Sequence, residues 1–225
     1  MKKRPLIAVP FAGAVSPSAI VLARKGGMDV AELRVDLFAS VEKNSVLAEI
    51  RKFKKIPTIL TIRSKKEGGA WKSSEARRLE LFKAALPSVS KVDIELSSRV
   101  ILKDVIRETK RLKKEVIVSY HNFDKTPSLP FLEKILKEAK SAGADVVKIA
   151  AMAHSPKDVR RLAEFTYSHA RQGLITLSMG KEGAFSRILF PSLGSRLTFA
   201  HTGRSTAPGQ WDLKTTAFFF KKLYR

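Results

Sequence analysis

The chain has 225 residues, a mass of 25.0 kDa and a formal net charge of +22, with 44% hydrophobic and 28% charged residues. That apolar share supports a packed core and argues against disorder; the lack of cysteine excludes disulfides, thiolate metal sites and a cysteine nucleophile; and no run approaches the roughly 18 apolar residues of a membrane span. Only a short strand-like run follows Met1-Lys2-Lys3-Arg4-Pro5, so no signal peptide is expected, and the chain reads as one cytoplasmic domain over residues 1–225.

Taken in order, β-rich apolar runs alternate with amphipathic segments. A strand over 6–9 precedes a helix over 16–25, a strand over 30–35 a helix over 43–55, one over 58–62 a helix over 74–86, and one over 91–96 a helix over 98–113. The second half repeats the pattern: strand 115–120 and helix 129–142, then 145–150 and 156–170, 173–178 and 183–190, and finally 197–200 and 212–223. Gly143 supplies a left-handed cap after Ser141-Ala142. Ser155-Pro156 with Asp158 reads as an N-cap, a first-turn proline and a capping-box partner. Eight such repeats fit an α/β protein built as a single (β/α)8 TIM barrel better than an open doubly wound sheet. No G-x-G-x-x-G follows the first strand, which removes the main support for a dinucleotide fold.

The charge raises the question of a polyanionic partner. The clusters Arg51-Lys52-Phe53-Lys54-Lys55, Lys110-Arg111-Leu112-Lys113-Lys114 and Lys221-Lys222 fall near predicted helix C-termini, where cations complement the macrodipole. Apart from Phe53 they carry no interleaved aromatics of the kind that stack on bases. The expected partner is therefore a small anionic molecule, with neither nucleic acid nor membrane.

In a barrel of this kind the chemistry gathers where strands end. The second strand ends in Glu32-Leu33-Arg34-Val35-Asp36, whose spacing puts Glu32, Arg34 and Asp36 on one face. The third gives Arg63 and a charged loop with Glu67-Gly68-Gly69; the fourth gives Asp93 and Glu95, also on one face. Ser119-Tyr120-His121 closes the fifth, Lys148 interrupts the apolar run of the sixth, and Ser178-Met179-Gly180, with Arg187 shortly after, follows the seventh. Gly203 to Gln210 forms the loop after the eighth. A lysine in a core strand is either salt-bridged to Asp93 or Glu95, or snorkels from a strand end, or is a neutral amine able to form an imine with a ketone. His121 is either a packed loop residue or a general acid/base oriented by Glu67, Asp93 or Glu95. Arg34, Arg63 and Arg187 would pair with the same carboxylates or clamp a carboxylate of the substrate. His154, His169 and His201 lack metal-ligand spacing. These residues describe a metal-free, imine-forming barrel enzyme acting on an anionic ketone, and leave the ketone open.

Taken together, Glu32 to Asp36, Arg63 with Glu67-Gly68-Gly69, Asp93-Ile94-Glu95, Ser119 to Phe123, Lys148-Ile149-Ala150, Ser178-Met179-Gly180, Ser186-Arg187 and Ala207-Pro208-Gly209-Gln210 resemble the type I 3-dehydroquinate dehydratases of the shikimate pathway. The resemblance runs from the first strand to the last helix. It implies that Lys148 forms a Schiff base with 3-dehydroquinate and that His121 moves protons in a syn elimination giving 3-dehydroshikimate and water. It implies further that Glu67 orients His121 with Asp93 and Glu95 in support, that Glu32, Arg34 and Arg63 hold ring hydroxyls, and that Arg187 holds the carboxylate. Met179 and Phe199 would be apolar walls, and Thr206 and Gln210 would close over the substrate. No cofactor or metal is implied, and a homodimer is. Two positions depart from the family pattern: Thr206 stands where serine is usual, and Asn122 where aspartate is. The nearest rival is another class I Schiff-base aldolase on a TIM barrel, and a more distant one a basic, non-catalytic RNA-binding protein.

Overall fold

The computed structural model describes residues 4–224. Its elements follow in order: β1 (Leu6–Phe11), α1 (Pro17–Lys25), β2 (Val30–Arg34), α2 (Lys43–Arg51), β3 (Thr58–Thr61), α3 (Glu75–Ala85), β4 (Lys91–Glu95), α4 (Leu102–Arg111) and β5 (Glu115–Asn122). Then come α5 (Leu129–Ala142), β6 (Val146–Met152), α6 (Pro156–Ser168), β7 (Leu174–Met179), α7 (Gly180–Gly183), α8 (Ser186–Leu193), β8 (Leu197–Phe199) and α9 (Leu213–Leu223). All strand pairs are parallel, in the order β7-β6-β5-β4-β3-β2-β1-β8. A parallel bridge between Leu174 and Ser195, with Arg196 N donating to Leu174 O at 2.8 Å, brings the two ends together. The chain is a single (β/α)8 TIM barrel.

Strand alternation sorts the residues into an inside and an outside. Outward-facing Val92, Ile94, Val116, Val118, Val147 and Ile149 join the helices in the larger apolar cluster. Inside the barrel, Val30, Ile59, Ile117, Val146, Ile175 and Leu197 form the lower plug. One step further along β2 to β6 the interior turns polar, at Glu32, Thr61, Asp93, Ser119 and Lys148, all buried, while β7 and β8 stay apolar at Leu177 and Phe199. The apolar plug thus closes the barrel beneath a charged layer that opens at the C-terminal end of the strands.

Several element ends shift by a few residues from the sequence expectations, with α2 stopping at Arg51 and β5 running on to Asn122, and at three places the reason is local. The helix expected over 183–190 is two helices: Gly183 sits where a Cβ would lie 2.5 Å from the backbone of Ser178, and Ser186 Oγ is tied to Ser178 N at 3.0 Å, which turns the chain between α7 and α8. Helix α4 starts at Leu102, not Ser98, because the Ser98 hydroxyl is taken by buried Arg78 and Glu95 and is lost as a cap. At the start of α6 the expected capping box does not form, since Asp158 takes the amide of the residue before the N-cap Ser155. Asp158 accepts from His154 N at 3.1 Å, and Ser155 Oγ donates to Asp158 instead of accepting a helix N–H. Gly143, by contrast, has φ of 107° and caps α5 as expected.

Candidate active site

Lys148 lies inside β6, directly beside Ser119 of β5 in the parallel register. Its Nζ donates to Asp93 Oδ2 at 2.9 Å, stands 3.7 Å from Glu32 Oε1 and sits 4.3 Å above the Phe199 ring. Buried charges persist only when paired, and this amine is paired on one side and open to the cleft on the other. Asp93 is itself fixed by Ser119 Oγ at 2.6 Å and by Arg63 at 2.9 Å. Burial would raise the Asp93 carboxyl, but Arg63 and Lys148 outweigh it and hold the group well below the usual range.

The pairing continues outward. Arg63 also lies 3.3 Å from Glu95, whose Oε1 accepts from Ser64 N at 2.7 Å. The other Glu95 oxygen pairs with Arg78, a fully buried guanidinium on α3 that also donates to Ile62 O at 2.7 Å and Ser98 Oγ at 2.9 Å. An alternating chain of charges therefore runs from a helix outside the barrel to the amine at its centre: Arg78, Glu95, Arg63, Asp93, Lys148. Arg34 is held separately, in a bidentate pair with Asp36 at 3.0 and 2.8 Å. Asp36 belongs to a 3-10 turn after β2 and accepts from Ala70 N. It therefore orients Arg34 from behind and does not share its exposed face, as strict strand alternation would have had it.

His121 ends the inward row of β5. Its Nδ1 lies 2.9 Å from Glu67 Oε2, and the same oxygen accepts the His121 backbone N–H at 2.9 Å. Glu67 reaches it from a 3-10 turn that Gly68 ends with φ of 76°, and Ser97 Oγ donates to its second oxygen. Burial pushes the Glu67 carboxyl up to about 7, against the hydrogen bond from Ser97 and the charge of Arg63. His121 is pushed well below the usual imidazole range by burial and by Arg63 and Lys148, with Asp93 opposing. Near neutral pH the imidazole is thus uncharged, and with Nδ1 turned to Glu67 its Nε2 serves the cleft.

The loop after β8 covers the opposite side. Thr206 N and Oγ1 and Ser205 Oγ all donate to Gln210 Oε1, at 2.8, 3.2 and 3.3 Å. Arg187 on α8 is buried and donates through Nε to Gly209 O at 2.8 Å and through Nη2 to Pro208 O at 3.0 Å; burial lowers it to about 10. Gly209, with φ of 71°, lies so close to Gly180 that a Cβ would be 2.3 Å from its carbonyl oxygen.

These groups line one cleft, open at its mouth. Lys148, His121, Glu67, Glu32, Arg34, Arg63, Arg187, Met179, Phe199, Thr206 and Gln210 all border it; Asp93 and Glu95 stand behind it. Sequence reasoning missed Arg78, Ser97, Phe123 and Leu177. Leu177 was detectable from its alternation with Met179, and Phe123 from its place two residues beyond His121. Asn122 faces away, its Oδ1 capping the amides of Asp124 and Lys125 and its Nδ2 on the Tyr120 hydroxyl.

The family model of type I 3-dehydroquinase matches residues 12–222. The chain belongs to the type I 3-dehydroquinase family. A 3-dehydroquinate dehydratase of Methanococcus maripaludis is 41% identical over 189 residues, 83% of this chain and 84% of its own. The structure of the 3-dehydroquinate dehydratase from Aquifex aeolicus superposes with a TM-score of 0.87 at 36% identity, over 98% of this chain and 99% of its own. That from Clostridium difficile, described with covalently modified comenic acid, gives 0.87 at 31% identity over 99% and 93%. Apart from Lys148, inside β6, and Ser186-Arg187, on α8, the residues that carried the resemblance lie in the C-terminal part of a strand or in the loop just beyond it, and the side chains that border the cleft come from six of the eight strands or their following loops, with Arg187 added from α8.

Proposed function

We infer that this chain dehydrates 3-dehydroquinate to 3-dehydroshikimate, with Lys148 as the imine-forming nucleophile and His121 as the proton carrier. The observation that carries this reading is the placement of one buried amine and one largely covered imidazole in the same cleft, which an arginine also borders. In the first step Lys148 Nζ attacks the C3 carbonyl carbon; the C–N bond forms, the carbonyl oxygen leaves as water, and a protonated imine remains. Asp93, 2.9 Å from Nζ, keeps a negative charge beside that cation throughout. The imine then withdraws electrons from C2, whose proton passes to His121 Nε2. The resulting enamine expels the C1 hydroxyl, which takes the proton from His121 and departs as water. Because one imidazole both takes and returns the proton, the elimination is syn. Hydrolysis of the imine frees Lys148 and the product.

Arg187 is the group for the substrate carboxylate: among the described residues its Nη1 makes no hydrogen bond, and it faces the cleft. Glu32 and Arg34 face the ring hydroxyls, while Arg63, committed to Asp93, Glu95 and Ser119, acts chiefly by its charge. The covalent adduct named for the Clostridium difficile relative supports nucleophilic chemistry in this cleft.

The test is direct. Purified protein mixed with 3-dehydroquinate should develop the ultraviolet absorbance of a conjugated enone, and borohydride added with substrate should fix a reduced adduct on Lys148, read by peptide mass. Lys148→Met should abolish both while the folded spectrum persists. Turnover at the native rate in that variant would remove the imine from the scheme.

A further inference from the structure

The cleft contains a side chain that the scheme above does not use. Phe123 lies just past β5, two residues beyond His121, and remains 39% exposed although it sits among buried groups. Its ring lies nearly parallel to the imidazole of His121, with an angle of 16° and centroids 6.5 Å apart. On its other side it fills the space above Gly68, where a Cβ would come within 2.4 Å of the ring. Gly68 is the residue that ends the Glu67 turn, in the left-handed conformation. One ring therefore touches both the strand that carries the imidazole and the turn that carries its carboxylate partner. A glycine is needed at 68 for two separate reasons, its backbone angle and the volume the ring occupies.

Building on the proposed reaction, we propose that Phe123 is a positioning residue: its ring clamps the Glu67 turn onto His121 and keeps water off the carboxylate that the imidazole leans on. The other groups facing Glu67 are accounted for. Arg63 approaches from the end of β3, Glu95 from β4, the Ser97 hydroxyl from the turn after β4, and the His121 ring and amide from β5, while Lys65 and Lys66 on its own turn point to solvent. None of these is apolar, and Phe123 sets an apolar ring against this corner, packed on Gly68 and beside the His121 imidazole. A carboxylate loses the aqueous stabilisation of its charge when such a cover is present, and regains it when the cover is cut away.

The experiment follows the carboxyl itself and so does not depend on turnover. In protein labelled with carbon-13 glutamate, the carboxyl signal of Glu67, assigned by its loss in Glu67→Gln, is titrated in Phe123→Ala and Phe123→Leu. Removing the ring should lower the Glu67 midpoint by about one pH unit or more, since desolvation is the largest influence on it. Leucine should keep it near the native position. In parallel, the acid limb of kcat/KM should move down with the carboxyl in Phe123→Ala and stay in Phe123→Leu. An unchanged midpoint in folded Phe123→Ala, or an equal shift in both variants, overturns the proposal. Absence of 3-dehydroquinate turnover by the native protein would instead overturn the reaction assigned above, and the titration would still decide the role of Phe123.

Discussion

Substituting Glu67 by glutamine tests the acid/base pair at its most exposed point in the argument. The carboxyl is held up to about 7, so about one tenth of it is ionised at pH 6 and about nine tenths at pH 8. Only the ionised form accepts the Nδ1 proton of His121 and leaves Nε2 free as a base; a protonated Glu67 turns the imidazole into the wrong tautomer. His121 adds no limb of its own in this window, because burial, Arg63 and Lys148 keep it neutral well below the usual imidazole range. The native kcat/KM should therefore rise roughly tenfold between pH 6 and 8, following one ionisation. Glutamine has no proton to lose, so in Glu67→Gln that rise should vanish. The level rate should lie about 10²–10⁴ below the native plateau, since no charge is left to steady the imidazolium. The assay is the ultraviolet progress curve at low substrate across pH 5.5–8.5. A variant that keeps the tenfold rise with the same midpoint would refute the role given to Glu67.

Stability should respond to the same group with a definite sign. Unfolded, Glu67 ionises near 4.5, and folded near 7, so its contribution is fully present below pH 4.5 and is lost as pH rises to about 7. The difference in Tm between Glu67→Gln and the native protein should accordingly be more positive at pH 8 than at pH 5, by calorimetry. Arg78→Met strips buried Glu95 of one of its two cations, leaving Arg63 alone to pair it, and should cost about 3–5 kcal/mol in denaturant unfolding. Adding Glu95→Gln should recover part of that, and a double variant no more stable than the single one would contradict the charge chain. Arg187→Ala should raise KM far more than it lowers kcat for the carboxylate substrate, and equal losses in both would reassign the residue to the chemistry.

Much of the barrel was legible because its strands are short and regular. Lys148 stands out in Val146-Val147-Lys148-Ile149-Ala150 only because its neighbours could fill a core unaided, and in the fold it is an inward position between two apolar ones. Asp93 and Glu95 were readable by the same alternation. What alternation cannot show is the layer a side chain reaches from its strand. Strand spacing puts Asp36 beside Arg34 on one face only by running two residues past the end of β2, into a 3-10 turn. Arg78 went unnoticed although it was within reach of a helical argument. It shares the buried stripe of Leu81, Phe82 and Ala85 at spacings of three, four and seven, and an arginine there needs a buried partner. The partner, Glu95, lies on a strand 17 residues away, and no local pattern connects them.

The loop bearing Thr206 and Gln210 already rests on the barrel. Two carbonyls are pinned by Arg187, and the backbones of Gly209 and Gly180 are too close to admit a methyl group between them. Its conformational entropy is therefore surrendered once, at folding, and is not charged again at each encounter with substrate. That lowers the ordering cost of association, but the contacts that hold the loop are the same whether the cleft contains reactant, intermediate or product. They strengthen every bound state alike and leave the spacing between ground state and transition state untouched. Tightening this latch would thus improve capture at low concentration without raising the maximal turnover, and loosening it would weaken capture and leave the maximal turnover where it was.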